Sequence, residues 1–198
     1  MPTLVVPFRG ADGKSRLAPL AADARALLAR AMLADVLAAA QAVGTTFLVA
    51  PEPRPEPEGE THVTDPHRGQ GAAVRAGLDA AVATAGGAPL LVVNADLPCV
   101  TPRDLLALAG AVPDDGLAYV AAADGTTNAL ALTSAALYRP LYGPGSAERF
   151  ARLAPSRAVD APNLIDDVDT VADLERLAPR LGPHTRRTVK ALRVEAAA

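Results

Sequence analysis

The 198-residue chain has a single cysteine, Cys99, no tryptophan, and only three tyrosines and three phenylalanines. One thiol cannot close an intrachain disulfide, and it cannot build a multi-cysteine zinc cage either. Such cysteine usage is what a reducing cytoplasm favours, and the cytoplasm is the expected location. Also missing is any run of about 18 uncharged apolar residues. Met1 leads directly into a short apolar stretch, not into a basic segment followed by a long apolar one. Neither export nor membrane spanning is expected. A net charge of −3 gives no broad positive field for a nucleic-acid backbone, so small phosphorylated ligands, bound by local groups, are the remaining phosphate partners. Scarce aromatics and abundant alanine suit helices packed closely through small side chains.

Half of the residues are hydrophobic, enough for one domain with a real core. Leu4-Val5-Val6-Pro7 is a short apolar run of the kind that a parallel sheet buries on both faces. From Asp23 to Val43, Leu28, Met32 and Val36 recur every four residues beside Leu33 and Leu37, which predicts a helix ending at Gly44. Thr45 to Ala50 reads as a second strand. Pro51, Pro53, Pro55 and Pro57 then forbid regular structure. Thr61 to Thr64 is a candidate short strand, and Val74, Leu78 and Val82 predict a helix from Gly69 to about Gly86-Gly87. Leu90-Leu91-Val92-Val93 carries the strongest strand signal and should lie mid-sheet. Thr101-Pro102-Arg103-Asp104 supplies a cap, a proline at the first helical position and an acid in the first turn. Strands are expected at Leu117 to Ala122 and Ala129 to Thr133. A helix is expected near Ala147 to Leu153, and another opened by Thr170 with Asp173 three residues on. The alternation predicts right-handed crossovers on a mostly parallel α/β sheet, with ligands outside the carboxyl ends of its strands.

Four constellations could carry chemistry. Residues 7 to 17, Pro-Phe-Arg-Gly-Ala-Asp-Gly-Lys-Ser-Arg-Leu, cluster three cations and two glycines just past the first strand. Gly10 and Gly13 are too close for a Walker A loop, and taken alone this is better read as a charged surface turn. Asp96, in Asn94-Ala95-Asp96-Leu97-Pro98, should leave the end of the best strand, where a carboxylate can hold Mg²⁺ against phosphate oxygens; a turn or cap aspartate is the competing role. Asp166-Asp167-Val168-Asp169-Thr170 crowds carboxylates before a helix that Thr170 caps. They form either a solvated acidic turn or a set that shares a cation with Asp96. Gly125-Thr126-Thr127-Asn128 and Tyr142-Gly143-Pro144-Gly145-Ser146 offer hydroxyls and unhindered backbone N–H groups. Ser146 also opens a helix whose N-terminus could take an anion. His62, His67 and His184 lack metal-ligand spacing, Cys99 reads as a buried thiol, and Arg186, Arg187 and Lys190 read as a solvated helix face.

Together, Lys14-Ser15-Arg16-Leu17-Ala18-Pro19, N-A-D-L-P, Y-G-P-G-S and Asp167-Val168-Asp169-Thr170 resemble the guanylyltransferases of coenzyme F420 biosynthesis, with the G-P-G-S element the most specific. The resemblance covers nearly the whole chain. It implies a single-domain, Rossmann-like, GT-A-like nucleotidyltransferase over 1–182, a three-layer sandwich with a mostly parallel mixed sheet, followed by a C-terminal helix or tail over 183–198. It further implies transfer of GMP from GTP to phosphoenolpyruvate, 2-phospho-L-lactate or 3-phosphoglycerate with release of pyrophosphate, and hand-off of the product to the next enzyme of that pathway. Carried onto this sequence, the catalytic groups would be Lys14, Arg16 and Asp96, and the magnesium ligands Asp96, Asp167 and Asp169. Nucleotide contacts would come from Pro7, Arg9, Gly13, Lys14 and Arg16, and from Asp65, Gly71 and Asn94. Thr127, Gly143 and Ser146 would contact the acceptor. Two departures stand out, Arg9 where the family more often has lysine and Gly71 where it more often has asparagine. A molybdenum-cofactor nucleotidyltransferase shares the fold and the D-L-P feature but matches residues 7 to 17 poorly. A non-catalytic nucleotide-binding module would use the same loops without turnover.

Overall fold

Burial on both faces accounts for the unbroken apolar strands. In the computed structural model, which describes residues 1–10, 17, 20–54, 59–84 and 88–196, β1 (Thr3–Pro7), β2 (Thr45–Ala50) and β4 (Leu90–Val93) are buried along almost their whole lengths. They join β3 (Thr61–Thr64), β5 (Leu117–Ala121), β6 (Thr127–Leu132) and β7 (Ser156–Ala158) in a seven-stranded sheet of order β3-β2-β1-β4-β6-β5-β7. The Leu90–Val93 strand takes the central place expected of it. β1 runs parallel to β2 and β4, β2 to β3, and β5 to β7, whereas β6 is antiparallel to both β4 and β5. The sheet is therefore mixed and mostly parallel. Pro55, Pro57 and the expected helix end at Gly86-Gly87 lie outside the described residues.

Period-two alternation along the strands feeds two cores. Leu4 and Val6 pack with Val36 of α1 (Ala22–Gln41), Leu105 of α3 (Pro102–Gly110) and Leu164 of α5 (Pro162–Ile165). Val5, between them, packs with Val74 and Leu78 of α2 (Gln70–Thr84) and Phe150 of α4 (Ser146–Ala151). The result is the three-layer sandwich. A third cluster joins Leu28 and Met32 of α1 to Cys99, Val168 and Leu181 and to Leu174 and Leu177 of α6 (Val171–Leu177). No described helix is long and apolar enough to cross a membrane.

Most element boundaries agree with the sequence to within a residue or two, and the misses have physical reasons. The α1 stripe is buried as expected, but Val82 of α2 is 53% exposed while Ala81 is fully buried. A row of every fourth residue overshoots the 3.6-residue turn and drifts round the helix. The face that meets the sheet combines Val74 and Leu78 with the small residues Ala73, Gly77 and Ala81. A Cβ on Gly77 would lie 2.3 Å from Val5 Cγ1 and 2.7 Å from Val49 Cγ2, so only glycine permits this approach. β6 begins at Thr127, two residues before the expected Ala129. β7 and α5 left no usable pattern, since β7 is exposed throughout and α5 has only four residues.

The C-terminal segment is a helix, α7 (Pro183–Ala196), anchored on α1 by a buried charge. The Asp35 carboxylate accepts hydrogen bonds from the backbone N–H groups of His184 and Thr185, both at 2.9 Å. These are first-turn donors with no partner inside their own helix. Gly182 leaves the room required, because a Cβ there would stand 2.3 Å from Asp35 Cγ. Arg186, Arg187 and Lys190 face solvent as expected. Ahead of α6, Thr170 and Asp173 form the expected reciprocal capping box. Asp166 accepts from both Arg176, at 2.6 Å, and Arg180.

Asp35→Ala should cost about 2 kcal/mol, measured as a lower urea midpoint; an unchanged midpoint would show that this carboxylate does not anchor α7. For Asp166, burial by itself raises the pKa, but hydrogen bonds from Arg180 and Arg176 outweigh it and hold the carboxyl below its ordinary value. A depressed folded-state pKa gives stability that is complete above the unfolded value of about 3.9 and is lost as pH falls through the folded one. The stability gap between wild type and Asp166→Asn should therefore shrink between about pH 5 and about pH 2. Urea titrations across that range check this, and a gap that is constant with pH would contradict it.

Candidate active site

The carboxyl ends of β1 and β4 open onto one cleft, the position at which open α/β sheets bind ligands. Pro7, Phe8, Arg9 and Gly10 form one wall of this ≈ 260 Å³ cavity. Asp65, Gln70, Ala73, Asn94, Ala95, Asp96 and Asp169 form much of the remainder, above Ala29 and Met32 of α1. β4 ends at Val93, so Asp96 is not at the strand end itself but three residues beyond it, carried by the Asn94-Ala95 turn. Asp65 is buried and caps its own turn, its Oδ1 accepting from His67 N at 2.8 Å. Gly13, Lys14 and Arg16 lie outside the described residues.

Asp96, Asp167 and Asp169 each present a carboxylate oxygen, and the three atoms lie within 4.8 Å of one another. Val168 N donates to Asp96 O at 3.1 Å, which ties the two acidic loops together, and the Val168 side chain is fully buried in the cluster with Leu28, Met32 and Leu174. The acidic run is thus divided. Asp166 is committed to Arg176 and Arg180, while Asp167 and Asp169 turn toward Asp96. Carboxylates this close repel unless positive charge is brought among them. A set of hard oxygen donors fits a divalent cation such as Mg²⁺.

On the other side of Asn94, Thr127 Oγ1 and Ser146 Oγ are 3.0 Å apart and buried. Ala147 N donates to Gly125 O at 3.2 Å, so the two small-residue loops form one unit. That bond, together with Ser146 N donating to Gly143 O at 2.9 Å, corrects one expectation. The first two amides of α4, those of Ser146 and Ala147, are engaged within the protein and are not unhindered. Gly143, at φ +110°, lines a second cavity of ≈ 580 Å³ with Arg9, Arg68, Gly69, Gln70, Gly71, Ala72, Arg75, Pro140 and Tyr142. Thr127 and Ser146 line neither cavity, whereas Arg9 and Gln70 line both, so the two spaces adjoin.

Gly71 belongs to the second cavity, and its geometry explains the missing asparagine. A Cβ there would lie 2.6 Å from Pro140 Cβ, and Tyr138 Oη donates to the Gly71 carbonyl at 2.9 Å. Cys99 is a buried thiol, its pKa raised chiefly by that burial. None of the histidines lines either cavity. Sequence reasoning missed Gln70 and Asn128. Gln70 donates from Nε2 to Asn94 Oδ1 at 2.8 Å, and the buried Asn128 donates from Nδ2 to Ile165 O at 3.0 Å. Neither is charged, and their only sequence signal was position inside loops already singled out.

Comparison with known proteins identifies the family. A family model described as the MobA-like NTP transferase domain matches residues 21–157. The chain is 37% identical to phosphoenolpyruvate guanylyltransferase of Sphaerobacter thermophilus, covering 88% of this chain and 91% of that one. It is 32% identical to 2-phospho-L-lactate guanylyltransferase of Methanosphaerula palustris, over 87% and 82% respectively. Among solved structures, one assigned to the nucleotide-diphospho-sugar transferases, from Desulfovibrio desulfuricans G20, superposes with a TM-score of 0.74 at 14% identity, covering 96% of this chain and 94% of that one. That last likeness concerns the fold alone. With a shared domain model and relatives this similar along nearly their full lengths, the chain belongs to the guanylyltransferase family of coenzyme F420 biosynthesis, built on the MobA-like nucleotidyltransferase domain.

Proposed function

We propose that this protein transfers GMP from GTP to a phosphorylated three-carbon acid, phosphoenolpyruvate first, with 2-phospho-L-lactate and 3-phosphoglycerate as the alternatives, and releases pyrophosphate. The observation that supports this most is the convergence of Asp96, Asp167 and Asp169 within 4.8 Å on the cleft beyond β4. Those three residues would hold Mg²⁺. When bound, the cation would offset the negative charge of phosphate groups that the carboxylates alone would repel.

The reaction joins an acceptor phosphate oxygen to the α-phosphorus of GTP and breaks the bond between the α-phosphorus and the bridging oxygen of the β-phosphate, the electron pair leaving with pyrophosphate. An acceptor phosphate is already ionised near neutral pH, so no side chain has to remove a proton. The work of the protein is then to align the two phosphates and to place positive charge beside them. Arg9 lines the cleft for that purpose, and Lys14 and Arg16 are assigned the pyrophosphate from the sequence motif. Pro7, Asp65 and Asn94 would seat the nucleoside. Thr127, Gly143 and Ser146 would hold the acceptor, the two hydroxyls fixing the loop that meets it. The product is a phosphoanhydride, activated for group transfer by the next enzyme of the pathway.

Mass spectrometry of products from GTP, CTP and ATP, each paired with the three acids and Mg²⁺, tests the proposal. GMP conjugates should dominate. No conjugate with any pair, or CTP outperforming GTP throughout, would overturn it. Asp96→Asn should keep the wild-type circular dichroism and lose about 10³-fold in kcat, and pyrophosphate release near the wild-type rate would remove Asp96 from the catalytic set.

A further inference from the structure

Gln70 stands where the two cavities meet, at the start of α2, and it ends a chain of side-chain amides with only one possible orientation. Asn128 Nδ2 donates to Ile165 O at 3.0 Å, and Asn94 Nδ2 donates to Thr127 O at 3.3 Å and to Asn128 Oδ1 at 3.4 Å. Asn94 Oδ1 in turn accepts from Gln70 Nε2 at 2.8 Å. An isolated carboxamide can be turned over without changing its shape, so its direction has to come from its partners. Here the partners settle it. Ile165 O and Thr127 O are backbone carbonyls and can only accept; reversing Asn128 or Asn94 would set oxygen against oxygen. Asn94 therefore presents its oxygen to Gln70, Gln70 must answer with its nitrogen, and Gln70 Oε1 is left as an acceptor. Among the described residues no protein donor reaches that oxygen.

The backbone beneath Gln70 is held as firmly as its side chain. The Gly71 carbonyl accepts from Tyr138 Oη at 2.9 Å, and Pro140 occupies the space that a side chain at position 71 would need. At the far end, Asn128 is 2% exposed, so the chain of amides is rooted in the interior, and its other two members, Asn94 and Gln70, border the cleft.

We propose that Gln70 is a specificity-determining residue, its Oε1 accepting a hydrogen bond from the nucleoside in the cleft. This rests on the nucleotidyl-transfer function proposed above. The nucleoside donors that could meet a fixed acceptor are the base N1–H and 2-amino group and the two ribose hydroxyls.

The test is kcat/KM of wild type and Gln70→Leu with GTP, ITP, N1-methyl-GTP, 2′-deoxy-GTP and 3′-deoxy-GTP, using whichever acceptor gives product. Leucine is a good helix former of similar size, and an unchanged urea midpoint confirms its fold. The variant should lose about 10- to 100-fold with GTP, mainly through KM, and should lose several-fold less with the one analogue that lacks the donor Gln70 reads. That analogue identifies the donor. A GTP value within two-fold of wild type, or equal losses with all five triphosphates, would overturn the inference while leaving the guanylyltransferase activity standing. A wild-type protein inactive with all five would overturn that activity, and this inference with it.

Discussion

Three carboxylates held within 4.8 Å of one another concentrate like charge, which opposes their gathering. The surrounding fold helps to fix them in place. Val168, between Asp167 and Asp169, is buried in the cluster that α1 and α6 share, and its N–H bonds to the Asp96 carbonyl. Thr170 begins the capping box immediately afterwards, and Asp166 is clamped by Arg176 and Arg180 immediately before. The acidic loop is thus pinned at both ends and in the middle. These contacts keep carboxylate charge concentrated at one place beside the cleft.

The antiparallel course of β6 decides what else meets at that point. Parallel strands bring only their carboxyl ends to the ligand side of a sheet. An antiparallel strand brings its beginning there, so Thr127 and Asn128 arrive beside the end of β4, with Val93 paired to Ala129. Successive residues on a strand point to opposite faces. Thr127 accordingly reaches Ser146, and Asn128 reaches Asn94 and Ile165 O. One strand start therefore joins the small-residue loops on one side to the cleft beyond β1 and β4 and the acidic loop on the other. A wholly parallel sheet would leave this junction without its central strand.

Much of this was legible in the residues themselves. The LLVV run, the Thr101 and Thr170 caps and the buried stripe of α1 are local patterns, and they hold because burial and capping act over a few residues. Asp96 and the acidic run were identifiable because carboxylates flanked by strand and helix signals have few structural reasons to gather. Val82 was misread because a stripe drawn at every fourth residue ignores helical drift, and β7 was missed because an exposed edge strand carries no hydrophobic period. Gln70 and Asn128 escaped notice because an uncharged amide has no chemistry of its own until its partners are known.

The sequence by itself determined the α/β class, the order of most elements, and the residue types that a phosphate-handling site requires, since propensity, capping and periodicity are properties of neighbouring residues. The tertiary structure alone decided that Asp166 is structural while Asp167 and Asp169 join Asp96. It decided that Pro140 denies Gly71 a side chain, and that a row of amides from Ile165 to Gln70 points one way. Each of these depends on groups far apart in the chain brought within a few ångströms, where repulsion, steric exclusion and the one-sided chemistry of a backbone carbonyl leave a single arrangement.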